Sequence, residues 1–391
     1  MPAVAELPYG GVRSRRGGGA LTPPRLRSGP PERAGLDPEE LRLLAEEVRA
    51  LPGTWCAGAV VVAGRGPVLA VEEAAGWAVR YAAGGVELPA HRRVPMTLGT
   101  PFDLASLTKL CTAVAAVQQI ERGTLGIDAR IAAYAPELTA AADHGITVRQ
   151  LLTHTSGLRP ELPLYACPDE PAMLAALRTE EPVAEPGGAY LYSDLNMLLL
   201  QQVLQRLTGR RLDRLIRDGI TRPLGMRATG FGPCPFAAAT EDQRTPRAKL
   251  DRGMLRGVVH DENAYALGGV AGHAGLFGTA HDLAVFCRTL LGGGAYGPAR
   301  ILGPDFVDLL LRPPGLGFLV DQPWFMGELA GRGAAGHTGF TGTSLVLDRA
   351  TDSFLVLLAN TVHPVRRVPD STPRARAATR LARAVAGAGA V

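Results

Sequence analysis

Apolar residues follow strand spacing towards both ends of the chain and helical spacing between them. Near the start, Asp37 followed by a proline and two glutamates predicts a helix N-terminus, because Asp caps free N–H groups and Pro suits the first turn. Residues 57–63 and 68–71 are valine-rich runs separated by Gly-Arg-Gly, which predicts two strands joined by a turn. We expect these strands to pair in an antiparallel sheet.

The middle of the chain has the period of amphipathic helices. From Ser106, apolar residues fall on one helical face until Gly123, a residue typical of helix C-termini. The strand pattern returns at 343–347 and 353–359, where intervening polar residues predict a hairpin, and a last helix is predicted at 374–386. Other helices are predicted at 147–154, 170–178, 194–208, 212–218 and 279–291.

These elements predict one α/β domain of the α+β type over residues 34–391. We expect an antiparallel sheet built from both termini, about 34–105 and 334–391, flanked by helices, with a large, mainly helical insert at about 106–333. Residues 1–33 are rich in Gly, Pro and Arg and offer too little apolar surface to offset the entropy of ordering. They are therefore predicted to form a disordered tail.

Composition narrows the class of protein. With 46% hydrophobic and 20% charged residues, the chain has enough apolar material for a core. No apolar run approaches the roughly 18 residues of a membrane span, and a net charge of +4 is too small to indicate a nucleic-acid partner. An arginine pair, Arg15 and Arg16, is followed by Gly and Pro and not by an apolar stretch. We therefore expect no signal peptide and a cytoplasmic location.

Cysteine and lysine are both used sparingly. Five cysteines are scattered without CxxC spacing, which argues against a disulfide framework or a zinc cluster. Lys109 and Lys249 are the only lysines among 41 basic residues. An amine can lose its proton in a protein and a guanidinium cannot, so a lysine retained here is a candidate for chemistry that arginine cannot perform.

The segment FDLASLTK places Ser106 and Lys109 on the same face of a predicted helix start. Free N–H groups of a first turn favour a developing oxyanion, and serine needs a neighbouring base to become a nucleophile. We expect Lys109 to be that base with a lowered pKa, since an amine of pKa about 10.4 is almost fully protonated at neutral pH. For this pair alone, the alternative is a helix cap and a surface lysine.

Two further segments could complete such a site. In PGGAYLYSDLN, Tyr192 precedes a helix start and could exchange protons with a serine and a lysine; the alternative is a packed tyrosine with Asp194 as N-cap. In GHTGFTGT, glycines flank His337 and Thr338, so a substrate backbone could approach closely there. The alternative is a glycine-rich turn with an exposed histidine.

The order and spacing of these three segments resemble the serine beta-lactamase superfamily, in particular the branch with class C beta-lactamases, DD-peptidases and esterases. The resemblance covers about residues 35–390 and includes LLTHTSGL, PLGM and AGLFGTAHDLAVF. It implies a beta-lactamase/transpeptidase-like fold, an acyl-enzyme on Ser106, and proton transfer by Lys109 and Tyr192. It implies an oxyanion hole of the backbone N–H groups of Ser106 and Phe340. The implied substrate-binding residues are Asp194, His337, Thr338 and Gly339.

Two positions depart from the family pattern. Asp194 stands where Asn is usual and should repel anionic substrates, and His337 stands where class C members have Lys. Both departures argue against beta-lactam resistance. We therefore expect a serine hydrolase that cleaves a small-molecule ester or amide, with no metal, organic cofactor or membrane partner. The alternatives are DD-carboxypeptidase, D-aminopeptidase or beta-lactamase activity, and a non-catalytic binding protein that retains the fold.

A fourth segment, VHDENA followed by GGVAGH, carries the potential metal ligands His260, Asp261, Glu262 and His273. Adjacent residues rarely converge on one ion and no HExxH spacing is present, so a metal is not expected. We expect a glycine-rich loop near the mouth of the site, anchored by hydrogen bonds from Asn263 and His273. His154 in LLTHTSGL is expected to hold a helix end beside the site.

Overall fold

The computed structural model describes residues 23–387. The strands are β1 Arg27–Ser28, β2 Gly58–Arg65, β3 Val68–Val79, β4 Val94–Pro95, β5 Phe102–Asp103, β6 Gly230–Phe231, β7 Ala239–Asp242, β8 Met254–Arg256, β9 Leu276–Gly278, β10 Ala295–Tyr296, β11 Ala299–Arg300, β12 Leu319–Val320, β13 Ala335–Thr338, β14 Ser344–Asp348 and β15 Ser353–Ala359. The α-helices are α1 Pro38–Arg49, α2 Thr108–Glu121, α3 Thr139–Asp143, α4 Val148–Leu152, α5 Glu170–Arg178, α6 Asp194–Thr208, α7 Leu212–Ile216, α8 Arg222–Leu224, α9 Glu262–Ala266, α10 Ala280–Leu291, α11 Pro304–Leu311, α12 Pro323–Met326 and α13 Thr372–Gly387.

A central eight-stranded sheet joins strands from both ends of the described chain. Its order is β1-β3-β2-β15-β14-β13-β12, and β4 pairs with β3. β2 is antiparallel to both β3 and β15. It therefore lies between one strand from the N-terminal part of the chain and one from the C-terminal part. The predicted α/β architecture, with a sheet built from both termini, is therefore confirmed.

The N-terminal edge of the sheet corrects two predictions. β1 pairs parallel with β3, so the sheet is mixed and not wholly antiparallel. Main-chain hydrogen bonds from Arg27 to Pro67 and from Gly29 to Leu69 order a segment that was predicted to be disordered as far as residue 33. A 3₁₀ turn, Pro31–Ala34, follows. The remainder of the predicted tail, residues 1–22, lies outside the described residues.

Both faces of the sheet are covered by helices. Alternate residues of β2 point to opposite faces: Val60 and Val62 join one core with residues of α2 and α10, while Val61 joins another with residues of α1 and α13. Burial on both faces explains why this strand reads as a continuous apolar run. In residues 23–387, every helix is too short or too polar to cross a lipid bilayer.

The predicted helices are found with small shifts at their ends. Asp37 caps α1 by accepting from the Glu39 N–H, and Thr279 caps α10 by accepting from the Asp282 N–H. The insert predicted to be mainly helical also contains short strands, among them β6 and β9, which form a three-stranded sheet with β5. This small sheet fixes the end of β5, where the chain enters α2.

Candidate active site

Ser106 lies between β5 and α2, in a 3₁₀ turn over Ala105–Leu107. Ala105 has a φ of 45°, a left-handed conformation that costs a non-glycine residue about 1–3 kcal/mol. The Asp103 carboxylate holds this conformation, because Oδ1 accepts from the Ala105 N–H (2.9 Å) and Oδ2 accepts from the His260 N–H (2.6 Å). The strained turn sets Ser106 at the start of α2, as the sequence predicts.

Lys109 is completely buried (0% exposed) one helical turn after Ser106. Its Nζ donates to Ser106 Oγ (2.9 Å) and to the His273 carbonyl (3.3 Å), and it lies 2.8 Å from Asp194 Oδ1. Lys109 Nζ thus donates two hydrogen bonds and has the Asp194 carboxylate as its ion-pair partner. The predicted adjacency of Ser106 and Lys109 is confirmed, and the alternative of a surface lysine is excluded.

The prediction that the pKa of Lys109 is lowered is wrong. Burial acts to lower it, but the Asp194 carboxylate and Tyr192 outweigh burial and raise the pKa. Burial opposes ionisation of Asp194, yet Lys109 and His273 hold the pKa of that carboxyl below its usual range. The resting site therefore contains an ammonium–carboxylate pair and not a free amine. Asp194, predicted to contact substrate, instead pairs with Lys109.

Tyr192 approaches Ser106 from the loop before α6. Its hydroxyl donates to Ser106 Oγ (3.2 Å), and Lys109 Nζ lies 5.0 Å from the ring centroid. Burial raises the pKa of Tyr192 although Lys109 acts to lower it, so the phenol is neutral at rest. Tyr192 and Lys109 thus both point at one serine oxygen, which is the arrangement that the three segments together predicted.

His154 supports the tyrosine from behind. Its ring stacks on Tyr192 with centroids 4.8 Å apart, and Nδ1 accepts from the Ser193 N–H at the start of α6 (3.2 Å). Burial lowers the pKa of His154 to about 3, with a further contribution from Lys109. A neutral imidazole therefore holds the end of α6 beside the site, the place that the sequence indicated.

His337 forms part of the opposite wall, in β13. It is buried, and its Nδ1 lies 2.7 Å from the Thr338 carbonyl; because a carbonyl only accepts, Nδ1 carries the proton. Burial lowers the pKa of His337 to about 4, so Nε2 is a hydrogen-bond acceptor, and within residues 23–387 it has no partner. His337 thus offers a neutral acceptor. That His337 helps to bind the carboxylate or carbonyl side of a substrate, as the resemblance implies, stays a prediction.

Two threonines tie the loop after β13 to the segment that carries Ser106. Thr341 Oγ1 donates to the Asp103 carbonyl (2.7 Å), and Thr343 Oγ1 donates to the Leu104 carbonyl (3.1 Å). These hydrogen bonds fix the spacing between the two segments whose N–H groups were predicted to form an oxyanion hole.

Gly339 and Phe340 lie within that tied loop. A Cβ on Gly339 would lie 2.1 Å from Thr343 Oγ1, so the backbone approaches its neighbour too closely for a larger residue. The Phe340 ring stacks on His260 at 5.5 Å between centroids, and the imidazole of His260 bonds Glu241 (2.9 Å). The segment VHDENA therefore supports the loop of Phe340, a role that the sequence did not indicate.

Ser106 opens into a cavity of about 890 Å³. His337, Thr338, Gly339 and Phe340 line it, as predicted, whereas Asp194 does not. Its walls are mostly apolar, and one guanidinium, that of Arg374, has a buried Nε without a hydrogen-bond partner among the described residues. The apolar side chains around the cavity include Trp55, Tyr190, Leu152, Phe318, Val320 and Trp324.

Two of the four potential metal ligands in the VHDENA and GGVAGH segments, His260 and Glu262, contact other side chains. His260 bonds Glu241, and Glu262 pairs with Arg366 (2.6 Å). In the described part of the chain, one group of three side chains could reach a common ion, with donor atoms within 4.8 Å of one another: Asp194, Asp261 and His273. Within this group, Lys109 Nζ lies 2.8 Å from Asp194 Oδ1, and His273 Nε2 lies 2.9 Å from Asp261 Oδ1.

The glycine-rich loop is anchored partly as predicted. Asn263 donates to the Leu162 carbonyl (2.8 Å) and accepts from the Tyr165 N–H (3.1 Å), which fastens α9 to the loop beside the cavity. His273, in contrast, bonds Asp261 within its own neighbourhood (2.9 Å). Asn263 therefore anchors the loop to a distant segment, as predicted, whereas the His273 side chain bonds a residue near it in the chain.

Comparison with known proteins agrees with this geometry. The sequence profile of the Beta-lactamase family matches residues 44–380. The chain belongs to the beta-lactamase family. A relative from Escherichia coli (strain K12), named a putative D-alanyl-D-alanine carboxypeptidase, is 33% identical over 72% of this chain and 73% of its own length. The family is one of serine hydrolases, so the predicted resemblance and the hydrolase class are confirmed.

Solved structures share the beta-lactamase fold. EstCE1, described as a hydrolase with promiscuous acyltransferase activity, superposes with a TM-score of 0.67 at 22% identity, covering 89% of this chain and 98% of EstCE1. The class C beta-lactamase of Rhodobacter sphaeroides gives a TM-score of 0.66 at 21% identity, covering 88% and 99%. At these identities the likeness establishes the fold, and the substrate has to be argued from the site.

Buried neutral histidines predict a loss of stability in mild acid. His363 Nε2 accepts from the N–H groups of Arg80 and Tyr81 (both 3.1 Å), and burial lowers its pKa to about 4. Unfolded histidine has a pKa of about 6.5, so the unfolded state binds the extra proton as pH falls from there to about 4. We expect the free energy of unfolding to decrease over this window by up to about 1.4 kcal/mol per pH unit for each such histidine.

Urea denaturation at pH 7, 6 and 5 measures this dependence. The His363→Gln variant should show a smaller slope of stability against pH than the unaltered protein, since one of the groups that take up protons on unfolding is gone. His91→Gln, at an exposed position, is the matched control and should keep the original slope. An unchanged slope in His363→Gln would contradict the assignment.

Proposed function

We propose that the protein is a serine hydrolase that forms an acyl-enzyme on Ser106 and cleaves a small ester or amide with an apolar acyl group. One observation carries the proposal. The Ser106 hydroxyl lies 2.9 Å from Lys109 Nζ and 3.2 Å from the Tyr192 hydroxyl at the wall of a mostly apolar cavity of about 890 Å³. The proposed nucleophile, Ser106 Oγ, thus has two groups that can exchange protons within hydrogen-bond distance and space for a substrate beside it.

The protonation states of Lys109 and Tyr192 define the active form of the site. At rest Lys109 is an ammonium and Tyr192 a neutral phenol, so the pair must lose one proton before it can accept the one from Ser106. In that form the Tyr192 phenolate, stabilised by the neighbouring ammonium, takes the serine proton as Oγ bonds to the substrate carbonyl carbon. The negative charge passes to the carbonyl oxygen.

Collapse of this intermediate completes acylation. The N–H groups of Ser106 and Phe340 hold the oxyanion, a contribution of about 3–4 kcal/mol for each donor. Tyr192 gives its proton to the departing alcohol or amine as the bond to the carbonyl carbon breaks. Water then attacks the acyl-enzyme by the same steps, and the acid leaves with Ser106 restored.

A second candidate, DD-carboxypeptidase activity, has one observation in its favour. Arg367 and Arg374 both line the cavity, and a guanidinium at its wall could bind a terminal carboxylate of a peptide. The name of the Escherichia coli relative points to the same substrate class. The neutral state of His337 and the aromatic walls favour the ester or amide with an apolar acyl group.

Covalent labelling tests the proposal. Incubation with a fluorophosphonate should add the reagent mass less HF at Ser106, because fluoride leaves, and a fluorescent penicillin should add its whole mass there; Ser106→Ala should stay unlabelled. A panel of p-nitrophenyl esters of increasing chain length, peptides ending in D-Ala-D-Ala, and nitrocefin then separates the substrate classes. A protein that takes no label and turns over none of these compounds would be the non-catalytic binding protein.

A further inference from the structure

Behind the Lys109–Asp194 pair lies a histidine whose position is fixed from two helices. The loop before His273 bonds α2, where Thr112 Oγ1 donates to the Gly272 carbonyl (2.8 Å), and α6, where Gln201 Oε1 accepts from the Gly272 N–H (2.8 Å). A Cβ on Gly272 would lie 2.1 Å from the Met197 carbonyl oxygen. The loop therefore lies directly against α6 and holds the His273 backbone in one place.

His273 contacts the catalytic lysine and two carboxylates. Its carbonyl accepts from Lys109 Nζ (3.3 Å), and its Nε2 lies 2.9 Å from Asp261 Oδ1. Donor atoms of Asp194, Asp261 and His273 lie within 4.8 Å of one another. The side chains thus form a partly buried row in which Lys109 and His273 alternate with Asp194 and Asp261.

The two carboxylates of this row favour a positive charge on His273. Two carboxylates this close repel each other, and one lysine neutralises only one of them. Burial acts to lower the pKa of His273, but Asp261 and Asp194 outweigh it and raise the pKa. The other ionisable side chains around the row are Tyr192, His154, His337, His260, Asp103 and Arg252.

We propose that His273 is a positioning residue that shares the Asp194 carboxylate with Lys109, and that Asp261 is a positioning residue that holds His273. Together they set how readily the Lys109–Tyr192 pair releases the proton that acylation requires. The proposal rests on the acyl-enzyme function proposed above. The positive charge of His273 partly neutralises Asp194 and weakens its hold on the lysine proton. Asp261 keeps His273 oriented and charged.

The pH dependence of kcat/KM for a p-nitrophenyl ester tests this role with His273→Gln. Because glutamine carries no charge, Asp194 acts on Lys109 alone, and proton release needs a higher pH. We expect the ascending limb of the profile to move up by about one to two pH units, which corresponds to a loss of about ten- to a hundredfold near pH 7. Activity should recover at alkaline pH, a result that a merely structural defect would not give.

A double-mutant cycle shows whether His273 acts through Asp194. In an Asp194→Asn background, the further change His273→Gln should move the ascending limb less than in the otherwise unaltered protein, because the shared carboxylate is absent and only the direct repulsion between His273 and Lys109 is lost. His363→Gln removes a different buried histidine, one that does not line the cavity, and should not move the limb of the otherwise unaltered protein. A shift of equal size in both backgrounds would overturn the proposal.

Nitrogen NMR of the histidine rings supplies a test that needs no substitution. In the unaltered protein at pH 7, His273 should carry a proton on both ring nitrogens, whereas His337 should carry one. A neutral His273, or a pH profile of His273→Gln that falls uniformly at all pH values, would overturn the proposal. Failure of Ser106 to be labelled in the unaltered protein would instead overturn the proposed function, so the two failures are distinguishable.

Discussion

Replacement of Lys109 by methionine is expected to lower kcat for a good ester substrate by about 10²–10⁴-fold, the range measured for loss of a positioned proton-transfer group. Methionine keeps the length and apolar stem of lysine but can neither donate to Ser106 nor stabilise a Tyr192 phenolate. The cavity walls are unchanged, so KM should change far less than kcat. Steady-state kinetics with p-nitrophenyl esters measure both constants.

The same variant should also lose stability. Removal of the ammonium leaves the partly buried Asp194 carboxylate without its ion-pair partner, a change that costs up to about 3 kcal/mol. Adding Asp194→Asn to Lys109→Met should restore most of the stability and none of the activity. If the double variant regained activity together with stability, the role of Lys109 would be structural and the proton-transfer assignment would be wrong.

Replacement of Tyr192 by phenylalanine is expected to lower kcat/KM by about a hundredfold or more, with little change in the free energy of unfolding. The hydroxyl donates to Ser106 Oγ, while the ring packs on His154; phenylalanine removes only the first contact. Chemistry and packing are therefore separable at this residue. Burst kinetics with a slow ester would show whether acylation is the step that slows.

Tyr134→Phe is the matched control for that experiment. The Tyr134 hydroxyl accepts from the Gly126 N–H and does not line the cavity, so its loss should leave kcat/KM unaltered. Activity of Tyr192→Phe close to that of the unaltered protein would show that Lys109 alone exchanges the serine proton. A large loss of stability in Tyr192→Phe would show instead that the hydroxyl holds the loop before α6.

The site residues that sequence could predict are those fixed by local geometry or by the family pattern. Ser106 and Lys109 lie one helical turn apart, so a helix start is enough to bring them together. Tyr192 and His337 come from distant segments, and only the resemblance brought them to the same serine. Their protonation could not be predicted, because burial dominates the pKa of His337 and depends on the whole fold.

The partners of the catalytic pair were beyond the sequence for a similar reason. Asp194 reads as a helix N-terminal residue, and His273 lies 164 residues after Lys109 in the chain. Nothing in either local pattern says that both reach the lysine. The pairing of β1 with β3 was also missed, because a strand of two residues has no periodicity to detect. Long-range contacts of this kind follow from the packed structure and not from spacing.

The pairing of β2 with β15 constrains when the sheet can fold during synthesis. β2 ends at residue 65 and its partner β15 begins at residue 353, so most of the chain must leave the ribosome before the middle of the sheet can close. Nascent chains that stop short of residue 334 have neither the wall of His337 nor the loop of Phe340. Such chains expose valine-rich edges with no partner, so chaperones should hold them until the late strands emerge.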